Sequence, residues 1–124
     1  MTLAILDDLF FIARLQATAQ AASAPLTIVP PARALEAWRE TRATHVLVDL
    51  HAPLELEALV AGIRAESGGS HVRITGFYSH VDQATRTRAM AAGVDAAMPR
   101  SAFVTKLPTL LAAGTDPNPT ETRP

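Results

Sequence analysis

The sequence predicts a three-layer α/β fold, in which helices cover both faces of a five-stranded parallel sheet. Short apolar runs of strand length alternate with segments whose apolar residues recur at helical spacing, five times along the chain. Strands of a parallel sheet are buried on both faces, so they are continuously apolar and short. With 124 residues, 48% of them hydrophobic and 19% charged, the chain suits one globular domain.

The strands are predicted from the five short apolar runs. The third, HVLVDL at residues 45–50, is the strongest, because it is rich in valine and leucine and apolar enough to be buried on both faces. The other runs are residues 3–6, 26–29, 72–77 and 96–98.

The helices are predicted between and after these strands. They cover residues 9–24 and 30–42, the segment from 56 to the Gly68-Gly69 pair, residues 82–92, and a last helix from 101. Gly93 should cap the fourth helix, because glycine enters the left-handed region without strain. Ser101 should cap the last helix, and Pro108 should kink or shorten it.

Residues 1–113 are interpreted as one domain and residues 114–124 as a disordered tail rich in Gly, Thr, Asp, Pro and Asn. The chain has no cysteine, no apolar run near the ~20 residues that span a bilayer, and no signal-peptide pattern. A cytoplasmic protein without membrane contact is therefore expected. A net charge of -1 disfavours sequence-independent binding of nucleic acid. The acidic, bulky LDDLFF after the first strand disfavours a bound dinucleotide or flavin phosphate.

Acidic residues end two of the predicted strands. Asp7 and Asp8 follow the first strand, and Asp49 lies near the end of the third. In the flavodoxin-like strand order 2-1-3-4-5 these strands are neighbours, so the carboxylates converge at one edge. Close carboxylates repel, which a hard cation such as Mg²⁺ relieves, and one of them could act as a nucleophile. The alternative is structural: Asp8 caps the first helix and Asp49 caps a turn.

Four motifs together resemble the receiver domain of two-component response regulators: ILDD, VLVDLHAPLE, GFYSHVD and AAGVDAAMPRSAF. The resemblance covers residues 3–113 and implies the flavodoxin-like receiver fold. It implies that Asp49 is the phosphoacceptor, and that Asp7, Asp8, Asp49 and the backbone carbonyl of His51 hold Mg²⁺. It also implies a histidine kinase or phosphotransfer protein as phosphodonor, and a protein partner or homodimer that contacts helix 4, strand 5 and helix 5.

Two positions depart from the receiver pattern. Tyr78, followed by Ser79, falls on the switch position where receivers have Thr or Ser, and Arg100 falls where they have Lys. Arginine keeps the charge but is a wide, planar fork. The chain therefore resembles an atypical receiver or pseudo-receiver. It is either a stand-alone receiver phosphorylated on Asp49 or a phosphorylation-independent interaction module. An enzyme that acts on small molecules at the acidic edge is the least favoured reading.

The histidines admit two interpretations. His51 and His80 lie near the same edge and could ligate a transition metal together with Asp49, although solvated loop histidines are commoner. His45 and His71 precede predicted strands and are expected at the surface.

Some aromatic and basic residues are also assigned from their positions. Of the two phenylalanines that follow the acidic pair, Phe11 should enter the core and Phe10 should stay partly exposed near the site. Arg86 and Arg88 are interpreted as a solvated face of the fourth helix and not as an anion site.

Overall fold

The computed structural model describes residues 1–79 and 82–114, in which five strands alternate with five α-helices. The strands are β1 (Thr2–Ile5), β2 (Leu26–Val29), β3 (His45–Asp49), β4 (Arg73–Tyr78) and β5 (Ala96–Pro99). The helices are α1 (Leu9–Ala21), α2 (Ala34–Thr41), α3 (Leu56–Ala65), α4 (Gln83–Ala92) and α5 (Arg100–Gly114). Short 3₁₀ turns at Pro31–Arg33 and Gly69–His71 precede α2 and β4.

The sheet is parallel throughout, in the order β2-β1-β3-β4-β5. This confirms the flavodoxin-like topology predicted from the sequence. Ile5 of β1 is in register with Val48 of β3, and Asp49 is in register with Phe77 of β4. The carboxyl ends of β1, β3 and β4 therefore lie side by side, which places the segments that follow them at one edge.

Strand alternation divides the core into two layers. Val48 and Tyr78 belong to the layer under α2, α3 and α4, whereas Leu47 and Phe77 belong to the layer under α1 and α5. Four residues at helical spacing in α3 are all buried, as their periodicity predicts: Leu56, Leu59, Val60 and Ile63. Within the described residues, no helix is long and apolar enough to cross a bilayer.

The ends of α1 and α4 are set by local hydrogen bonds. Asp8 is the N-cap of α1 and accepts a bond of 3.2 Å from the amide of Phe11. Asp82 caps α4 and accepts a bond of 3.1 Å from the amide of Thr85. Gly93 ends α4 in the left-handed conformation, with φ of 103°, as predicted.

The prediction for the last helix was wrong about its cap, and Pro108 does not shorten the helix. The helix begins at Arg100, so Ser101 lies inside it, and it continues through Pro108 as far as Gly114. Proline removes one backbone hydrogen bond, but apolar residues before and after it share one buried face and hold both parts of the helix on the sheet. These residues are Phe103, Leu107 and Leu111. Gly114 was assigned to the disordered tail, whose other residues, 115–124, lie outside the described residues.

The prediction that His45 lies at the surface was also wrong, whereas His71 is exposed. His45 is only 2% exposed, because β3 is a central strand and the side chain lies beneath α5. Its Nε2 lies 3.1 Å from the hydroxyl of Thr75 on β4. Burial, reinforced by the charge of Arg73, lowers its pKa from 6.5 to about 4.

Candidate functional site

Asp49 ends β3 with a nearly buried side chain, 9% exposed. Its Oδ1 accepts a hydrogen bond of 2.9 Å from the amide of His51, and its carbonyl accepts one of 3.1 Å from the amide of Ala52. The amide of Leu50 still donates to the carbonyl of Phe77, so the chain leaves the sheet only after that residue. Asp49 thus caps a turn, as the structural alternative predicted, and its Oδ2 remains for other contacts.

The two carboxylate oxygens of Asp8 also have different hydrogen-bond partners. Oδ1 caps α1, and Oδ2 accepts a hydrogen bond of 3.2 Å from Nη1 of Arg100. The pKa of Asp8 is lowered, first by the bond from the amide of Phe11 and then by the hydrogen bond and charge of Arg100. The capping role is confirmed, and the carboxylate is held in its charged form.

Arg100 reaches both carboxylates from the start of α5. Its Nη2 lies 4.0 Å from Oδ2 of Asp49, while Nη1 binds Asp8. Its Nε is buried and has no hydrogen-bond partner in the described part of the chain. Pro99, whose ring fixes its φ, ends β5 immediately before Arg100. The end of β5 therefore places the guanidinium of Arg100 between Asp8 and Asp49, which belong to other elements.

Aromatic rings form the floor beneath this cation. The Cζ atom of Arg100 lies 4.4 Å from the ring centre of Phe11 and 5.7 Å from that of Phe77. The rings of Phe11 and Phe77 are 5.0 Å apart, and Phe103 stacks on Phe77 at 4.5 Å. A cation over an aromatic face is stabilised by roughly 0.5–1 kcal/mol at a partly exposed site. These rings belong to the buried layer under α1 and α5, so the guanidinium lies between that layer and the two carboxylates.

The other predicted ligands of Mg²⁺, Asp7 and His51, are more exposed than Asp8 and Asp49. Asp7 is exposed in the loop between β1 and α1, and the side chain of His51 is exposed as well. His80, the other histidine of the transition-metal hypothesis, lies outside the described residues. Within the described ranges, no group of three or more His, Cys, Asp or Glu residues is arranged to hold a metal ion.

The two residues at the predicted switch position differ in environment. Tyr78 is 4% exposed and packs in the layer under α2, α3 and α4, on the face of the sheet opposite to Phe77. Ser79 directly follows β4 and is exposed. Ser79 therefore provides the accessible hydroxyl at the end of β4, because the side chain of Tyr78 is buried.

A cleft of about 350 Å³ lies on the other side of Asp49, between the loop after β3 and α4. Leu54, Glu55 and Glu57 line it from the loop and α3, and Arg88 lines it from α4. Arg88 is exposed, as predicted, but it faces the site edge. The sequence of α4 could not show that Arg88 lines a cleft, because the facing wall is formed by the loop after β3 and by α3.

The oxygen atoms of Asp8 and Asp49 are suitable ligands for a hard cation such as Mg²⁺. Their arrangement does not suit one, however, while Arg100 lies between them. Each Oδ1 already accepts a backbone hydrogen bond, and each Oδ2 faces the guanidinium. A divalent ion shared by the two Oδ2 atoms would therefore lie against a like charge.

Comparisons by structure find receiver domains. A response regulator from Hahella chejuensis matches with a TM-score of 0.80 and 17% identity, over 94% of this chain and 96% of that one. One from Burkholderia multivorans matches with a TM-score of 0.74 and 26% identity, over 94% of each chain. The receiver domain of a sensor histidine kinase from Pseudomonas aeruginosa, which has a magnesium ion in its active-site cleft, matches with a TM-score of 0.73 and 20% identity, over 90% and 96%.

Comparisons by sequence find less. No protein-family description and no curated protein matches this chain. The structural likeness, the strand order and the position of Asp49 at the end of β3 nevertheless agree. The chain has the fold of a response-regulator receiver domain.

Proposed function

We propose that this chain is a receiver-like signalling protein of a two-component system, and that it acts through protein contacts without enzymatic chemistry on a small molecule. Its support is the receiver fold together with the acidic edge, where Asp49 and Asp8 meet Arg100. A cytoplasmic protein with a histidine kinase or phosphotransfer protein among its partners fits this proposal.

Of the two forms of this function, the geometry favours the phosphorylation-independent pseudo-receiver. The observation that carries it is the contact of Arg100 with both Asp8 and Asp49. Oδ2 of Asp49 is the oxygen that would have to attack a phosphodonor, and it faces a cation fixed over Phe11. Because an ion pair lowers the reactivity of a carboxylate oxygen, this contact disfavours attack on a phosphodonor.

The environment of Tyr78 points the same way. Its side chain packs on the face of the sheet opposite to Phe77, the residue in register with Asp49. A phosphoryl group on Asp49 would gain no hydrogen bond from the Tyr78 hydroxyl in this conformation. A hydrogen bond from the end of β4 to that phosphoryl group would then have to come from the hydroxyl of Ser79.

The second candidate is a receiver phosphorylated on Asp49 in the presence of Mg²⁺. The position of Asp49 at the end of the central strand favours it. In this form Oδ2 of Asp49 forms the bond to phosphorus while the bond from phosphorus to the donor group breaks. Arg100 must first leave the two carboxylates, and Ser79 would supply the hydroxyl.

The proposed contact surface is α4, β5 and α5, facing either a protein partner or a second copy of the chain. β5 is an edge strand, and all four of its residues are only partly buried. On α4, Met90 is 38% exposed, which is unusual for a large apolar side chain in this protein. An open sheet edge beside exposed apolar surface is a common setting for protein association.

Treatment with acetyl phosphate and Mg²⁺, followed by intact-mass measurement, separates the two forms. For the pseudo-receiver we expect no phosphoryl adduct on the wild-type chain, and amide NMR spectra that beryllofluoride leaves unchanged. A mass increase that Asp49→Asn abolishes would instead establish the second candidate. Cross-linking in the native host tests action through protein contacts, the part of the proposal that both forms share. For the pseudo-receiver, wild-type and Asp49→Asn chains should capture the same signalling partner.

A further inference from the structure

The acidic edge contains its own cation. Asp8 and Asp49 contribute two negative charges, and Arg100 contributes one positive charge at 3.2 Å and 4.0 Å from their Oδ2 atoms. The other oxygen of each carboxylate accepts a backbone amide. Oδ1 of each carboxylate is therefore hydrogen-bonded within the protein, and Oδ2 of each faces Arg100.

We propose that Arg100 replaces a divalent metal ion at this site, so that seating of Arg100 and binding of Mg²⁺ or Mn²⁺ to Asp8 and Asp49 are mutually exclusive. This inference depends on the site geometry and not on the proposed signalling function. A chain that bound Mg²⁺ tightly would fail it and could still act through protein contacts.

The seat of Arg100 is built for a planar cation. Phe11 lies under the guanidinium at 4.4 Å, and Phe77 lies beside it at 5.7 Å. A guanidinium stacks on an aromatic ring and binds carboxylates with its edge, whereas an ammonium is a compact, strongly hydrated charge. Arginine at position 100 can therefore contact the ring and both acids together, so it competes with a metal ion for the two Oδ2 atoms.

Charge repulsion between Arg100 and a metal ion opposes their binding to the same two carboxylates. Like charges a few ångströms apart repel strongly near a protein surface, because the effective dielectric constant there is lower than in bulk water. The side chain of Arg100 is 31% exposed, so part of this repulsion is screened. A metal ion that uses both Oδ2 atoms must displace Arg100 from Phe11 and from both carboxylates.

The test is Mn²⁺ binding, followed by paramagnetic relaxation and by calorimetry, in the wild-type chain and in Arg100→Met. Methionine fills the space over the rings without a charge. We expect at least about tenfold tighter Mn²⁺ binding by Arg100→Met than by the wild type, since the competing cation is gone. Millimolar Mg²⁺ should raise the melting temperature of the variant and leave that of the wild type unchanged.

Arg88→Met is the matched control. It removes the same charge from a residue that lines the cleft next to Asp49 but does not lie between the two carboxylates. We expect it to bind Mn²⁺ as the wild type does. Arg100→Met/Asp49→Asn should lose the gained binding, which would locate the ion at this edge.

Three results would overturn the inference: wild-type binding as tight as that of Arg100→Met, an equal gain in Arg88→Met, or a gain that survives Asp49→Asn. If Arg100→Met does not fold, as judged by circular dichroism, Arg100→Gln tests the same point. Glutamine removes the charge and keeps hydrogen-bonding groups near the carboxylates.

Discussion

Arg100 and Asp8 are 92 positions apart in the sequence and are joined by a hydrogen bond of 3.2 Å between Nη1 and Oδ2. Asp8 also caps α1, and Arg100 is the first residue of α5. The bond thus connects the starts of two helices that cover the same face of the sheet. Because Phe11, in the first turn of α1, lies under the guanidinium, the start of α1, the β5–α5 junction and the acidic edge form one unit.

Loss of the Asp8 side chain should destabilise the fold through the helix cap. Asp8→Ala removes the acceptor for the Phe11 amide, which we expect to lower the free energy of unfolding by about 1 kcal/mol. Asp8→Asn keeps an oxygen for the cap, so most of that loss should be avoided although the charge is gone. Urea unfolding at neutral pH measures both changes. Equal losses in the two variants would contradict a dominant capping role.

Adjacent phenylalanines at the start of α1 should differ sharply in their effect on stability. Phe11 is 5% exposed and packs on Phe77, whereas Phe10 is 92% exposed. Phe11→Ala should lower the free energy of unfolding by about 3–5 kcal/mol, because it opens a cavity in the α1–α5 core. Phe10→Ala should change it by less than about 0.5 kcal/mol. Urea midpoints of the two variants test this, and similar losses would show that the packing assigned to Phe11 is wrong.

The buried His45 should make stability depend on pH. Its folded pKa of about 4 is below the ordinary 6.5, so between these values the unfolded chain binds the extra proton. Stability is therefore expected to fall by about 3 kcal/mol as pH drops from 6.5 towards 4. The lowered carboxylate pKa values, such as that of Asp8, act in the same direction but mainly below the ordinary carboxylate pKa near 4.

Substitution of histidines isolates this contribution. His45→Gln keeps a hydrogen-bonding group near Thr75 and cannot titrate, so its stability should vary much less between pH 6.5 and 4.5. His71→Gln changes an exposed residue and should follow the wild-type curve. Urea unfolding across this pH range gives all three curves. Parallel curves for the wild type and His45→Gln would refute the assignment.

Arg64 joins three segments at the opposite edge of the sheet. It donates to the carbonyls of Gly69, at 2.8 Å, and Val72, and it pairs with Asp95 at 3.1 Å. Arg64→Met should lower the free energy of unfolding by about 1–3 kcal/mol, because the carbonyls lose a charged donor.

The control for this prediction is Arg39→Met. It breaks an exposed ion pair with Glu66 and should lower the free energy of unfolding much less than Arg64→Met does. Hydrogen exchange of the amide of Ile74, which donates to Asp95, reports the local effect at the start of β4. Unchanged protection of this amide in Arg64→Met would contradict the role of Arg64 as a link between these segments.

The order of strands and helices could be predicted because apolar spacing reports burial directly. The residues at helical spacing in α3 and the apolar run of β3 are buried as their patterns require. The phosphoacceptor position of Asp49 and the metal role of Asp7 remain predictions. The capping role of Asp8 is visible in the sequence as an acidic residue before an apolar helix.

Two features escaped the sequence because they depend on contacts between distant segments. Pro108 is a helix breaker by local rules, yet the buried Phe103 and Leu111 hold the helix on both sides of it. His45 starts a strand and looks like a surface residue, but β3 is central and α5 covers that end. In each case the burial of apolar surface by another element outweighs a local preference.

The sequence by itself determined the parallel α/β architecture and the convergence of acidic residues at one edge, because short apolar strands joined by helices leave few other arrangements. Only the tertiary structure decided which cation lies at that edge. The distances from Arg100 to Asp8, Asp49 and Phe11 depend on how α1 and α5 pack over the sheet. The charge of a residue can be read from the chain, but its partner is fixed by packing, and here packing brings a cation to the acids.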